Sequence, residues 1–264
     1  MKVAIVKYNA GNIYSVVNAL RRLGVEPVVT DDPAVLRSAD RVLFPGQGEA
    51  SQAMGYLREH GLDEVIRSLR QPVLGICIGQ QLMCRHSEEG DTDCLGIFPV
   101  DVLRFKPQRH EQKVPHMGWN EIRIEELRLK NEELRLKNDE LRLKNEELRL
   151  KNDELRLKND ENTPQSSIIN HQSSIINHQS SIINHQSSII NHQSYVYFVH
   201  SFYVPVCEFT TATCDYIVPF SAALHKDNFY ATQFHPEKSG AEGEEILRRF
   251  LNLNDNVNVN DNQQ

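Results

Sequence analysis

The segment Gln71-Pro72-Val73-Leu74-Gly75-Ile76-Cys77-Ile78-Gly79-Gln80-Gln81 constrains this chain more than any other. Its apolar run from Val73 to Ile76 reads as a buried parallel strand. A cysteine stands at the end of that run, with small residues flanking it at Gly75 and Gly79. Gly-x-Cys-x-Gly is the thiol form of the nucleophile elbow, a sharp strand-to-helix turn that pushes one side chain into a cleft. A Cβ on either side of so tight a turn would collide with neighbouring backbone, so the flanks must be glycine. The helix expected next, from Gly79 to Arg85, aims free N–H groups and the positive end of its dipole at the sulfur. That lowers the cost of forming a thiolate.

The surroundings of this turn set the fold class. Lys2 to Val6 reads as a strand, 9–12 as a turn, and Ile13 to Leu23 as a helix stopped by Gly24. Ile13, Val16, Val17, Leu20 and Leu23 share one face of that helix. Short strands follow at 27–30 and 41–44, then the loop Pro45-Gly46-Gln47-Gly48-Glu49, a helix to Arg58 and another over 62–69. Strands alternating with helices predict an α/β fold whose sheet is mostly parallel and covered on both faces. In such sheets the sites lie at the carboxyl ends of the strands, so the Gly46–Gly48 loop and Cys77 share a cleft.

Charge and cysteine usage narrow the function classes. A net charge of −7 argues against a binder of nucleic acid or of an anionic membrane. No apolar run approaches membrane-spanning length, and Met1 to Lys7 reads as a core strand rather than a leader. The five cysteines (77, 84, 94, 207 and 214) are odd in number and lack paired metal-ligand spacing. A reduced, cytoplasmic protein with no metal is expected, in which only Cys77 is reactive and the other four are small core residues.

After strand-like segments at 97–105 and 118–124, the sequence changes character. Residues 126–160 hold five copies of Glu-Leu-Arg-Leu-Lys-Asn-Asp/Glu, and 165–192 hold four copies of Gln-Ser-Ser-Ile-Ile-Asn-His. The leucines stand at i and i+2, on nearly opposite sides of a helix, so they cannot form a coiled-coil seam. The Glu that opens each copy lies four residues before a Lys, which supports a solvated helix by a few tenths of a kcal/mol per pair. The four histidines of the second block, seven apart, have nothing to hold them in one metal-binding geometry. The expected organisation is one discontinuous domain over 1–124 and 195–250, interrupted by a low-complexity repeat insertion at 125–194 that is helical or disordered. A disordered tail at 251–264 completes it.

Beyond the repeats, Tyr195 to Val204 reads as a strand carrying polar groups at its end, and Phe229 to Phe234 as another, followed at once by His235-Pro236-Glu237. A histidine there can take the Cys77 proton, and Glu237 can orient and stabilise the imidazolium. The Gly46–Gly48 loop and the N–H of Ile78 offer donors for an oxyanion.

These parts in this order resemble the class I (triad) glutamine amidotransferases. The motifs are Pro45-Gly46-Gln47-Gly48, Gly75-Ile76-Cys77-Ile78-Gly79-Gln80-Gln81 and His235-Pro236-Glu237. Tyr8-Asn9-Ala10-Gly11-Asn12, Lys113 to Asn120, Tyr197 to Phe202 and Gln233 to Ser239 narrow the likeness to the glutaminase subunits of imidazole glycerol phosphate synthase. The resemblance implies a flavodoxin-like three-layer sheet and hydrolysis of L-glutamine by Cys77, His235 and Glu237 without a cofactor. It also implies substrate contacts at Gln81, Glu89, Ser201 and Phe202. Its partner is a separate (β/α)8 cyclase subunit that takes the ammonia in a heterodimer, with Asn12, Trp119 and Lys238 at the interface. Gln47 stands where an aliphatic residue is common, which leaves a backbone role intact.

Bland readings stand beside several of these. Trp119 fits a core aromatic as well as a gate, and His116 and His200 fit packing as well as an interface. Glu89 lies in an acidic stretch typical of a solvated loop. Two other functions compete with the first: a glutaminase serving anthranilate, aminodeoxychorismate or pyridoxal phosphate synthesis, and a non-catalytic interaction protein built around the repeat rod.

Overall fold

Val3–Val6 (β1) is buried at all 4 positions. Its side chains alternate between two apolar clusters: Val3 and Ile5 pack with Val16, Leu20 and Phe250, and Ala4 and Val6 with Leu36, Leu57 and Ile66. A strand covered on both faces has no solvent side, so it reads as an unbroken apolar run. The computed structural model describes residues 1–8, 13–46, 48–157, 172–181 and 194–252. The chain forms two compact units, one of Met1–Arg123 with Ser194–Gln264 and one of Ile124–Gln193.

In the first unit the helices Ile13–Arg22 (α1), Pro33–Arg37 (α2), Ala50–Glu59 (α3), Leu62–Ser68 (α4) and Ile78–Met83 (α5) alternate with the strands Val28–Thr30 (β2), Arg41–Gly46 (β3) and Val73–Cys77 (β4). The chain then forms Cys84–Ser87 (β5), Thr92–Asp93 (β6), Phe98–Arg104 (β7) and His116–Ile124 (β8). Beyond the repeats come Ser194–His200 (β9), Phe202–Tyr203 (β10), Thr210–Tyr216 (β11), Val218–Lys226 (β12) and Phe229–Thr232 (β13), before the C-terminal helix Gly240–Leu251. The large sheet has the order β2-β1-β3-β4-β13-β12-β11-β8-β9, and a smaller one the order β10-β7-β5-β6. Pairing is parallel from β2 through β13, while β12 pairs antiparallel with β13 and with β11, and β8 with β9. The parallel half carries the strand ends that face the site.

The strand-like segment 97–105 pairs in the small sheet. Two expectations need correction. The helix after the cysteine spans only Ile78–Met83, because Cys84 already belongs to β5. The strand expected over 195–204 is two: the chain leaves the large sheet at His200 and enters the small one at Phe202, with Ser201 at the crossing. Among the other cysteines, Cys84, Cys94 and Cys214 are buried, but Cys207 is partly exposed.

In the second unit, Glu125–Leu157 is one helix of 33 residues, on the order of 50 Å long. Leu136, Leu143 and Leu150 are exposed, as expected when a repeat puts its two leucines on different sides. Lys151 pairs with Glu147 at 3.2 Å. A second helix occupies 172–181, and Asn145 donates to Asn177 at 2.8 Å. Of the four repeat histidines only His178 lies among the described residues, and most of the tail expected to be disordered lies outside them.

The turn after β4 leaves no room for side chains. A Cβ on Gly79 would overlap the carbonyl oxygen of Phe44 on the adjacent strand, so that glycine lets α5 pack directly on β3. Gly79→Ala is therefore expected to lower unfolding free energy by about 2 kcal/mol or more, read from the denaturant midpoint. Joining Arg123 to Ser194 by a short turn is expected to leave a folded first unit. The test is whether that shortened chain still unfolds in one cooperative transition.

Candidate active site

Parallel pairing brings three strand ends together. Gly46, the last residue of β3, lies opposite Cys77, the last of β4, and Ile76 lies opposite Thr232, the last of β13. Cys77 has φ 55° and ψ −108°, outside the regions open to a residue with a Cβ, at a cost on the order of 1–3 kcal/mol. The surrounding packing holds it there, and α5 begins at the next residue. Its sulfur lies 3.8 Å from the carbonyl of Val199 and receives the Gln233 amide nitrogen at 3.8 Å.

His235 follows β13 by three residues. A short 3-10 turn, Pro236–Lys238, brings Glu237 back alongside it. His235 Nδ1 and Glu237 Oε1 are 2.8 Å apart, with side chains only 2% and 3% exposed. The backbone is pinned as well. The Ser239 hydroxyl donates to the His235 carbonyl at 2.6 Å and accepts the Tyr197 N–H at 3.0 Å, and the His235 N–H reaches the Tyr197 carbonyl at 2.9 Å. Burial opposes a charge on the imidazole, but the Cys77 thiolate and then Glu237 outweigh it and raise His235 to about 10. With Glu237 on Nδ1, the buried Nε2, which makes no other hydrogen bond, is the nitrogen left for the thiol.

Tyr8 closes the floor. Its buried hydroxyl occupies the space where a Cβ on Gly46 would go. Burial, and then the Cys77 charge, hold the phenol well above its ordinary pKa, so it stays neutral.

Beside the cysteine lies a cavity of about 520 Å³. Among the residues expected from sequence, Gly48, Cys77, Ile78, Gln81, Glu89 and His235 line it, as do Ser201, Phe202 and Lys238. Glu237 stands behind His235 rather than in the wall, and Gly46 lies beneath, paired with Cys77. Gln47 and Asn12 lie outside the described residues. Trp119 is 57% exposed, with its ring edge-on to Tyr197 at 6.1 Å, so it is no core aromatic. His116 and His200 are buried. Glu89 is not merely a solvated loop residue: it accepts the Ala50 N–H at 2.9 Å at the start of α3, and burial raises its carboxyl pKa.

Sequence reasoning gives no cavity role to Pro115, Tyr197, Val199 and His200, which also line the cavity, or to Gln233, which bridges Gln81 and Cys77. For Gln233 a signal existed, since it sits one residue beyond a strand that pairs with β4. Among the described residues no cluster of three or more His, Cys, Asp or Glu could hold a metal, and no helix is long and apolar enough to cross a membrane.

Residues 4–253 match the family described as "Glutamine amidotransferase class-I". The chain is 52% identical to the imidazole glycerol phosphate synthase subunits HisH of Bacteroides thetaiotaomicron and of Bacteroides fragilis. Each alignment covers 96% of this chain and 100% of the relative. The subunit of the same name from Idiomarina loihiensis is 35% identical over 96% of this chain and 98% of its own. A solved structure described as "Crystal structure of glutamine amidotransferase" shares the fold, with TM-score 0.56 and 15% identity over 96% of this chain and 98% of that one.

Burial lowers His116 to about 4 and His200 to about 3, so both are neutral in the fold. Once unfolded they protonate near the ordinary 6.5. The unfolded chain therefore binds more protons below that pH, and stability falls as pH drops from about 6.5 toward about 4. The urea midpoint is expected to fall between about pH 7 and about pH 5, and to fall less steeply in His116→Gln.

Proposed function

The chain belongs to the class-I glutamine amidotransferases, and from that premise we infer that it hydrolyses L-glutamine and delivers the ammonia to a cyclase subunit in histidine biosynthesis. The relatives at 52% identity, named as imidazole glycerol phosphate synthase subunits, support the pathway. The observation that carries the chemistry is the buried His235–Glu237 pair, 2.8 Å apart, set beside a cysteine held at a strained strand-to-helix turn.

In this reading the Cys77 thiolate attacks the side-chain amide carbon of glutamine. The carbonyl electrons move onto oxygen, where the N–H of Ile78 and those of the Gly46–Gly48 loop receive them. His235, protonated on Nε2, gives its proton to the leaving nitrogen as the C–N bond breaks, releasing ammonia and leaving a thioester. The neutral imidazole then takes a proton from water, which attacks the thioester, and the thiolate departs from glutamate. Glu237 keeps the imidazole in one orientation and stabilises its charged form, as the raised His235 pKa requires. Gln81 and Glu89 hold the α-amino and α-carboxyl end, and the backbone at Ser201 and Phe202 closes that side.

The ammonia acceptor is a (β/α)8 barrel that forms a heterodimer with this chain in the cytoplasm. Trp119, exposed on β8, and Lys238, at the cavity wall, fit the surface that barrel covers.

The test is glutamate release by the full chain with and without the cyclase subunit. Cys77→Ala is expected to abolish it while the two subunits still associate, and retained hydrolysis would overturn the assignment. Glu237→Gln is expected to lower kcat by roughly 10²-fold or more and to bring the upper pH limit of activity down.

A further inference from the structure

His116 and His200 lie opposite each other across the β8–β9 pair, both buried, among the rings of Phe198, Phe220 and Tyr216. They are joined through their ring nitrogens: His116 Nδ1 is 3.0 Å from His200 Nε2. His200 Nδ1 is 2.7 Å from the Phe202 carbonyl oxygen, and His116 Nε2 is 3.3 Å from the Asn120 amide nitrogen.

Groups of fixed polarity assign every proton in this chain of contacts. A carbonyl only accepts, so His200 carries its proton on Nδ1 and, as a neutral ring, presents Nε2 as an acceptor. His116 must then donate from Nδ1 and accept at Nε2. The Asn120 amide nitrogen supplies that donor, because its oxygen is already taken by the Glu121 N–H at 2.8 Å. Protonating His200 would set two N–H groups against each other, and burial of both rings keeps them neutral.

The same carbonyl serves the catalytic side. Phe202 O also accepts from Gln81 Nε2 at 3.1 Å, and the second hydrogen of that nitrogen goes to Gln233 Oε1 at 3.0 Å. Both donors of Gln81 are thereby committed, and its oxygen is the end that remains for the cavity the side chain lines. This carbonyl sits where the chain crosses between the two sheets, and side chains of both halves of the domain converge on it.

We propose that His200, backed by His116, is a positioning residue for glutamine hydrolysis. The pair pins the Phe202 carbonyl, and that carbonyl holds the Gln81 amide with its oxygen presented to the substrate's α-ammonium group. The proposal rests on the reading that Cys77 attacks glutamine in this cavity. Neither histidine touches the reacting atoms. Their effect is on how the amino-acid head of the substrate is held, so it falls on KM rather than on the bond-breaking steps.

The full chain, with its cyclase partner, is assayed for glutamine hydrolysis and for alkylation of Cys77 by iodoacetamide, a probe with no amino-acid head. His200→Phe is expected to raise KM about tenfold, with kcat within about threefold and alkylation within about twofold of the unsubstituted protein. His200→Asn, whose amide nitrogen replaces Nδ1, is expected to recover most of the lost KM. An unchanged KM in His200→Phe, a fall in kcat together with alkylation, or no recovery in His200→Asn overturns the positioning role. The imidazole ¹⁵N spectrum of the unsubstituted chain is an independent arm that needs no variant to fold. Both rings are expected to be neutral with the proton on Nδ1, and a proton on Nε2 of His200 overturns the relay. An unsubstituted complex that does not hydrolyse glutamine overturns the underlying reading, a result distinct from any of these.

Discussion

The arrangement depends on the parallel register of β3, β4 and β13. Parallel strands end on the same side, so pairing alone sets Gly46, Cys77 and the chain leading to His235 next to one another. Their continuous burial makes the register hard to slip, because a one-residue shift would exchange the sets of side chains packed against two different layers of helices. The strain at Cys77 is tolerable for the same reason. A backbone held by hydrogen bonds on both sides and by a helix packed against Phe44 has no relaxed alternative nearby.

Within that frame the site places charge on side chains that are almost wholly buried. An isolated thiolate or imidazolium at such burial would be strongly disfavoured. Together, with Glu237 as the third member, they support each other, which is why His235 rises although desolvation pushes it down. Tyr8 shows the opposite case. It is equally buried, and the neighbouring negative charge gives it a further reason to keep its proton.

Much of this was legible in the residues. The buried strands announce themselves as apolar runs because both of their faces are covered, and the elbow because its glycines have a steric cause. His235 and Glu237 were legible because they stand just beyond a core strand. What escaped has a common physical origin in contacts between segments far apart in the chain. The break at Ser201 is invisible because Tyr195 to Val204 is uniformly strand-like, and only pairing partners reveal that it serves two sheets. Glu89 reads as one acid among several until Ala50 is found to donate to it. His116 and His200 are 84 positions apart, and nothing local marks either as the other's partner. Within the antiparallel half, β8 and β9 were legible, but β11 and β12 went unread because they carry polar and apolar residues in a weaker pattern than the parallel core.

The β8–β9 pair has a consequence for how this gene can change. Ile122 lies opposite Ser194, so the two ends of the repeat tract are fastened side by side. For a flexible tract joining two registered strands, the entropy of closure grows only with the logarithm of its length, about 0.1 kcal/mol for one more heptad at this length. A slip of the replication machinery by one repeat unit adds or removes seven residues in frame and leaves the strand pairing where it was. The pairing of β8 with β9 thus sets no particular copy number for the repeats between them.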